Sequence, residues 1–221
     1  MTLDRETRRY LAYSYPHNHD YWVVGRRLVP KWRLWRRAGA LWRHLPEPCT
    51  SLLDVSSCKG WFVTRAAQRM DCERALGIDV HEPDLAASRA VAAHVGAANA
   101  RFEKLFLHEL AERIDAFGGP FDATLLVNTY PYLFFGSRRE AHGYGDHDAI
   151  FRMLRTVTKG RVVFGNRVDL ALCPRNVRER AAESGLAAEY DEARITAAAE
   201  RYFQVRKVGA IGRIPLWILK V

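Results

Sequence analysis

From Ser51 onward the chain alternates short apolar runs with helix-type segments, and this alternation restricts the fold more than any other feature of the sequence. Ser51–Val55 (SLLDV) is an apolar run ending in turn residues, followed by Gly60 and a segment of helical composition over residues 61–70. Residues 75–80 (ALGIDV) repeat the pattern, and residues 83–95 are Ala-rich with a proline suited to a first helical turn. Residues 101–106 read as a third strand and 121–128 (FDATLLVN) as a fourth, entered through Gly118-Gly119-Pro120. A helix over 147–158 and a fifth strand over 161–168 (RVVFGNRV) follow. Strands and helices at this spacing predict a parallel sheet with helices on both faces, joined by right-handed crossovers.

The C-terminal end breaks the pattern. Residues 202–208 and 214–221 are strand-like runs separated by only five residues, too short for a helical crossover, so they are expected to pair antiparallel. The expected fold class is α/β: a Rossmann-like, mostly parallel seven-stranded sheet with a C-terminal antiparallel hairpin. The link Leu45-Pro46-Glu47-Pro48 blocks helix continuation and divides the chain into an N-terminal cap, residues 1–48, and a main domain, residues 49–221.

Three stretches carry a family resemblance. The run from Leu52 to Gly60 (LLDVSSCKG) is similar to the first motif of class I S-adenosylmethionine-dependent methyltransferases, an acidic residue followed by alternating glycines. Residues 75–79 (ALGID) are similar to the second motif, a strand ending in an acidic residue, and residues 121–128 to the fourth-strand motif. The resemblance implies S-adenosylmethionine as cofactor. It places Asp54, Ser56, Ser57, Cys58 and Gly60 around the methionine part, Asp79 on the ribose hydroxyls, and Asn128 beside the cofactor. This chain departs from the family in having Ser56 and Cys58 where glycines stand, which leaves less room for close backbone approach. Read from the residues alone, Asp79 has the alternative role of helix cap. An NAD enzyme uses the same architecture, but G-x-G-x-x-G is missing.

In an open α/β sheet the ligand crevice lies at the carboxyl ends of the strands, so the loops after the first, second and fourth strands are expected to converge. The loop over 128–137 supplies Tyr130 and Tyr132, suited to orienting or stacking on a substrate, or to forming a hydrophobic lid. His142 and His147 follow in a glycine-loosened segment. Methyl transfer to a hydroxyl requires removal of its proton, and histidine titrates near neutral pH, so His147 and then His142 are the expected general bases, with Tyr130 beside them. In the cap, Tyr15, His19 and Tyr21 are expected to contact substrate, because residues before the first strand often cover the active site in the family. No metal site is expected, since the spacing of His17, His19 and Asp20 is not diagnostic.

Charge bears on partners. The net charge is +9, and residues 1–48 hold ten basic and four acidic side chains, so the cap carries most of the excess. Between Trp22 and Leu45 lie seven Arg and Lys and no acid, with Trp32, Trp35 and Trp42 on one helical face. That face reads first as tryptophans packed on the domain with solvated arginines, then as an RNA-binding helix, then as a membrane-surface helix. Four scattered cysteines read as free buried thiols, and no apolar run reaches the roughly 20 residues of a membrane span. A cytoplasmic enzyme acting on a small anionic or aromatic acceptor, at O or N, is the expectation. An RNA methyltransferase (tRNA or rRNA) and a non-catalytic Rossmann-like binding protein are the alternatives.

Overall fold

The computed structural model of the protein describes residues 2–137 and 141–221. Seven strands form the main sheet in the order β5-β4-β3-β6-β7-β9-β8, and a separate hairpin joins β1 to β2. The mostly parallel α/β sheet with its antiparallel C-terminal end is the architecture expected from the alternation. By contact the chain divides into two compact units, Met1–Phe106 and Leu107–Val221.

The first unit contains α1 (Arg5–Tyr13), β1 (Tyr21–Val24), β2 (Arg27–Pro30), α2 (Trp32–Trp42), β3 (Ser51–Val55), α3 (Trp61–Ala67), β4 (Arg74–Asp79), α4 (Glu82–Val95) and β5 (Ala100–Lys104). All five residues of β3 are buried, as expected of a parallel strand covered on both faces. It pairs in parallel with β4 from Ser51↔Arg74 to Val55↔Ile78. Gly60 opens α3 with φ 70°, and a Cβ there would stand 2.5 Å from Ser88 Oγ and 2.7 Å from the Phe102 ring. Glycine at this one position lets α3 start directly against α4 and β5.

The cap differs from expectation on one point of substance. Trp32 and Trp35 do not pack on the domain: they are 66% and 56% exposed, stacked on each other with centroids 5.1 Å apart. The buried stripe of α2 is Leu34, Arg37, Ala38 and Leu41. Leu34, Ala38 and Leu41 fall at i, i+4 and i+7, and this narrow aliphatic stripe, rather than the indoles, sets the rotation of the helix. Only Trp42 turns inward, against Trp61 and Phe62. The hairpin β1–β2, paired from Tyr21↔Pro30 to Val24↔Arg27, was not legible in the sequence because each strand has four residues.

One buried ion fastens the cap to the loop after β3. Lys59 is 0% exposed, and its ammonium donates to the carbonyls of Leu11 (3.4 Å) and Ser14 (2.5 Å) and to Asp20 Oδ1 (2.5 Å). Tyr21, also fully buried, donates its hydroxyl to the Lys59 carbonyl at 2.7 Å. Tyr10 on α1 reaches Asp84 of α4 at 2.8 Å.

The second unit contains α5 (Leu107–Glu112), β6 (Phe121–Val127), α6 (Tyr130–Phe135), α7 (His147–Val157), β7 (Thr158–Gly165), α8 (Arg175–Ser184), α9 (Glu192–Glu200), β8 (Gln204–Ile211) and β9 (Ile214–Lys220). β6 and β7 are parallel, while β9 runs antiparallel to both β7 and β8. The segment expected as a loop over 128–137 contains the helix α6, and α8 and α9 lie between β7 and β8, where no strong hydrophobic period is visible in the residues. Phe164 stacks on the fully buried Trp217 at 5.1 Å. Among the described residues all four cysteines are free and buried, and no helix is long and apolar enough to cross a membrane.

Because removing one partner of a buried ion pair leaves the other uncompensated, Lys59→Met is expected to lower stability by about 3–5 kcal/mol in urea denaturation. Changing Asp20→Leu in the same chain should recover part of that loss; a single variant as stable as wild type would refute the anchoring role.

Candidate functional site

The turn after β3 keeps a glycine-type backbone without the glycines. Ser56 and Cys58 have φ 73° and 51°, left-handed values that cost a non-glycine residue roughly 1–2 kcal/mol each. Hydrogen bonds hold the turn in place. The amides of Ser56 and Ser57 both donate to the Ile78 carbonyl at 2.9 Å, and the Cys58 amide donates to Asp79 Oδ2 at 2.9 Å. The bond to a carboxylate is of the stronger, charge-assisted kind. Ser88 Oγ donates to the Cys58 carbonyl at 3.2 Å from α4. Ser57 Oγ is buried and has no hydrogen-bond partner among the described residues.

Asp79, at the carboxyl end of β4, is the acidic residue that the second motif points to. Its Oδ1 accepts the His81 amide at 3.0 Å while Oδ2 holds Cys58. Neither amide belongs to the first turn of α4, which begins at Glu82, so the contacts are those of an Asx-type turn rather than a helix cap.

Behind this turn lies a buried polar cluster. Arg37 Nη1 donates to His19 Nε2 at 2.6 Å, which leaves the His19 proton on Nδ1. Burial, with the charges of Arg37 and Lys59, pulls His19 well below the ordinary histidine range, so it is neutral. Asp54 on β3 is pushed up to about 7 by burial, against the attraction of Arg37 and with the added repulsion of Asp79. His19 and Tyr21 are therefore engaged inside the first unit, whereas Tyr15 is 74% exposed.

In the second unit, Asn128 directly follows β6 with φ 58°, its amide bonded to the Gly165 carbonyl at 2.9 Å and its Oδ1 accepting from Arg167 at 3.3 Å. The next two residues are held by Asn166. Its buried side chain accepts the amides of Thr129 (2.7 Å) and Tyr130 (2.9 Å) and donates to the Leu126 carbonyl (2.7 Å). Tyr130 is fully buried, and its hydroxyl lies 2.6 Å from His147 Nδ1. His147 Nε2 lies 2.9 Å from the Glu189 carbonyl, an acceptor, so Nε2 carries the proton and Nδ1 accepts from Tyr130. Both ring nitrogens of His147 are thus engaged, and burial holds it below the usual histidine range. Tyr132 is half-buried. His142 is exposed and stands among other titratable rings: Tyr144 at 5.2 Å and His108 at 5.9 Å between centroids, with His108 Nδ1 2.9 Å from the Tyr144 hydroxyl.

Four residues of these clusters escaped sequence reading: Lys59, Arg37, Asn166 and His108. Lys59 and Asn166 carried a faint signal, a polar residue set in an otherwise small or apolar stretch. Arg37 is one of seven cations in its segment, and nothing in the sequence distinguishes it from its solvated neighbours.

No protein-family model and no curated protein sequence matches the chain. Solved structures do. An O-methyltransferase family protein from Burkholderia thailandensis aligns with TM-score 0.57 at 17% identity, over 85% of this chain and 56% of that one. The N-terminal domain of EvdMO1 with SAH bound aligns at TM-score 0.58 and 16% identity, over 84% and 79%. The bifunctional kinase-methyltransferase WbdD gives TM-score 0.58 and 17% identity, over 83% of this chain and 36% of its own. The chain thus spans little more than half of the first of these. At such identities the likeness is one of fold, and it agrees with the strand order: the protein has the class I S-adenosylmethionine-dependent methyltransferase fold.

Proposed function

We propose that the protein is an S-adenosylmethionine-dependent methyltransferase acting on a small anionic or aromatic acceptor, at oxygen or nitrogen. The observation that carries this reading is the turn after β3, which keeps left-handed torsions at Ser56, Cys58 and Gly60 and is tied to a carboxylate, Asp79, at the end of β4. The residues present fit the cofactor. Asp79 is a carboxylate at the carboxyl end of β4, the chemistry that ribose hydroxyls call for, the buried Ser57 hydroxyl has no partner among the described residues, and Asp54 supplies negative charge for a cationic group. When bound, the cofactor supplies an electrophilic methyl group on a sulfonium. Two of the structural neighbours also support the reading: one is an O-methyltransferase family protein and one has SAH, the demethylated product, bound.

The chain's own residues divide the remaining work. The turn from Ser56 to Gly60 binds the methionine part, Asp79 the ribose, and Asn128 lies on the cofactor side. Tyr15 and Tyr132 contact the acceptor. For an acceptor that must lose a proton we assign the base to His142, which is exposed, rather than to His147, whose nitrogens are both engaged and whose role is to hold Tyr130. Residues 1–48 act as a cap on the cofactor side, with His19 and Tyr21 as its internal supports.

Calorimetric titration with S-adenosylhomocysteine tests the core of the proposal. Wild-type protein should bind, and Asp79→Ala should weaken affinity by about 1.5–3 kcal/mol, the range for hydrogen bonds to a charged group. No binding at millimolar ligand would overturn the enzyme reading.

A second expectation concerns pH. Asp54 ionises through about pH 7, and the ionised form attracts the cofactor's cationic groups, so affinity for S-adenosylmethionine should rise as pH increases through that value. Asp54→Asn should flatten the rise; an equally steep profile in the variant would assign it to another group.

The third separates the two histidines. His142→Ala should lower turnover by about 10²–10⁴-fold without unfolding the protein, as loss of a general base does. His147→Ala should instead lower the melting temperature, because it breaks a buried contact of Tyr130. The reverse pattern would return the base to His147.

A further inference from the structure

Apart from Tyr15, the exposed apolar and aromatic residues of the N-terminal segment form a surface that the methyltransferase reading leaves without a role. Of the ten large apolar or aromatic side chains exposed among the described residues, seven lie within residues 13–35. Such side chains scattered singly need no explanation, but a concentration of this kind marks an interaction site. The outer face of the β1–β2 hairpin presents Trp22 and Val29, which are direct cross-strand partners, together with Val24, which is 62% exposed. Trp32 and Trp35 follow at the start of α2. Lys31 joins the two elements: its ammonium lies 3.9 Å from the centroid of the exposed Tyr13 ring and 5.0 Å from that of Trp22.

Cations surround these rings. Arg26, Arg27, Arg33, Arg36 and Arg43 are exposed, and the sequence between Tyr21 and Pro46 holds no acid. Beside Trp35 a cleft of about 640 Å³ opens, with Gly39, Trp42, Arg36, Arg43 and Arg65 among the residues that line it. A Cβ on Gly39 would meet nothing within 4 Å, so no packing demand explains a glycine inside this helix, where it costs about 1 kcal/mol relative to alanine.

We propose that this face docks the protein on bilayers containing anionic phospholipid. Indoles and tyrosine rings favour the level of the headgroups, and arginines beside them are drawn to the negative surface potential. The cleft beside Gly39, with its arginines, takes a lipid phosphate. Two features favour a bilayer over a nucleic acid strand. Val24 and Val29 gain from hydrocarbon and offer no stacking face to a base, and Trp32 and Trp35 cover one face of each other. The proposal does not depend on the catalytic reading and stands or falls separately from it.

Flotation of the full chain with vesicles of equal parts phosphatidylglycerol and phosphatidylcholine, against vesicles of phosphatidylcholine alone, is the test. Wild type should float with the anionic vesicles, release at high salt, and show a blue shift of tryptophan emission. Trp32→Ala with Trp35→Ala should weaken vesicle binding by about tenfold or more with little change in melting temperature, since both indoles are exposed. Arg33→Gln with Arg36→Gln, two further exposed positions, should also weaken it. Failure of wild type to float, or vesicle binding unchanged in both double variants, overturns the proposal. So does binding of bulk tRNA in place of vesicles, which would assign the face to RNA.

Discussion

An ammonium group removed from water costs several kcal/mol unless oxygens surround it closely. In this protein three do. Lys59 leaves the turn after β3 and ends among the carbonyls of Leu11 and Ser14 and the carboxylate of Asp20, while its own carbonyl receives the Tyr21 hydroxyl. The end of α1, the residues that lead into the hairpin and the turn itself are therefore fixed by one side chain. Within the first unit, residues 1–48 and the turn after β3 are thereby tied together through one buried ion.

The same economy appears in the polar groups behind the turn. Arg37 could not be buried in α2 without an acceptor and a nearby negative charge, and it has both in neutral His19 and in Asp54. His19 stays neutral because it is buried and two cations stand near it, and Asp54 is pushed up to about 7 because burial and Asp79 oppose what Arg37 favours. Each group's state depends on the others. The cluster is therefore best regarded as one titrating assembly extending from the cap to the first strand, and a change at any member alters the electrostatics of the turn.

Much of this architecture was legible before the coordinates. The central strands β3, β4 and β6 are largely apolar runs, and the few residues between the last two strand-like runs leave room only for an antiparallel return. What could not be read has physical causes. The hairpin strands of four residues are too short to show a period, and α6 hides behind Pro131 in a segment that composition assigns to loop. The rotation of α2 was misjudged because tryptophan weighs heavily in any hydrophobic pattern, whereas packing followed Leu34, Ala38 and Leu41. At the candidate site, Asp54 and Asp79 were reached through their place at strand ends. The engagement of His147 by Tyr130 and the Glu189 carbonyl depends on residues 17 and 42 positions away in the chain, a distance at which sequence patterns carry no information.

The left-handed serine and cysteine after β3 separate two things that a glycine signature merges. A ligand that lies against a backbone senses torsion angles and the direction of amide groups, whereas a pattern written in letters senses only side chains. Here left-handed torsions stand on serine and cysteine, with hydrogen bonds donated to the Ile78 carbonyl and the Asp79 carboxylate offsetting the strain that glycine would have avoided. A turn of this shape therefore does not require the glycine signature, provided a neighbouring carboxylate and carbonyl receive its amides. Proteins of this fold are then better sought by the conformation of the first turn than by its spelling.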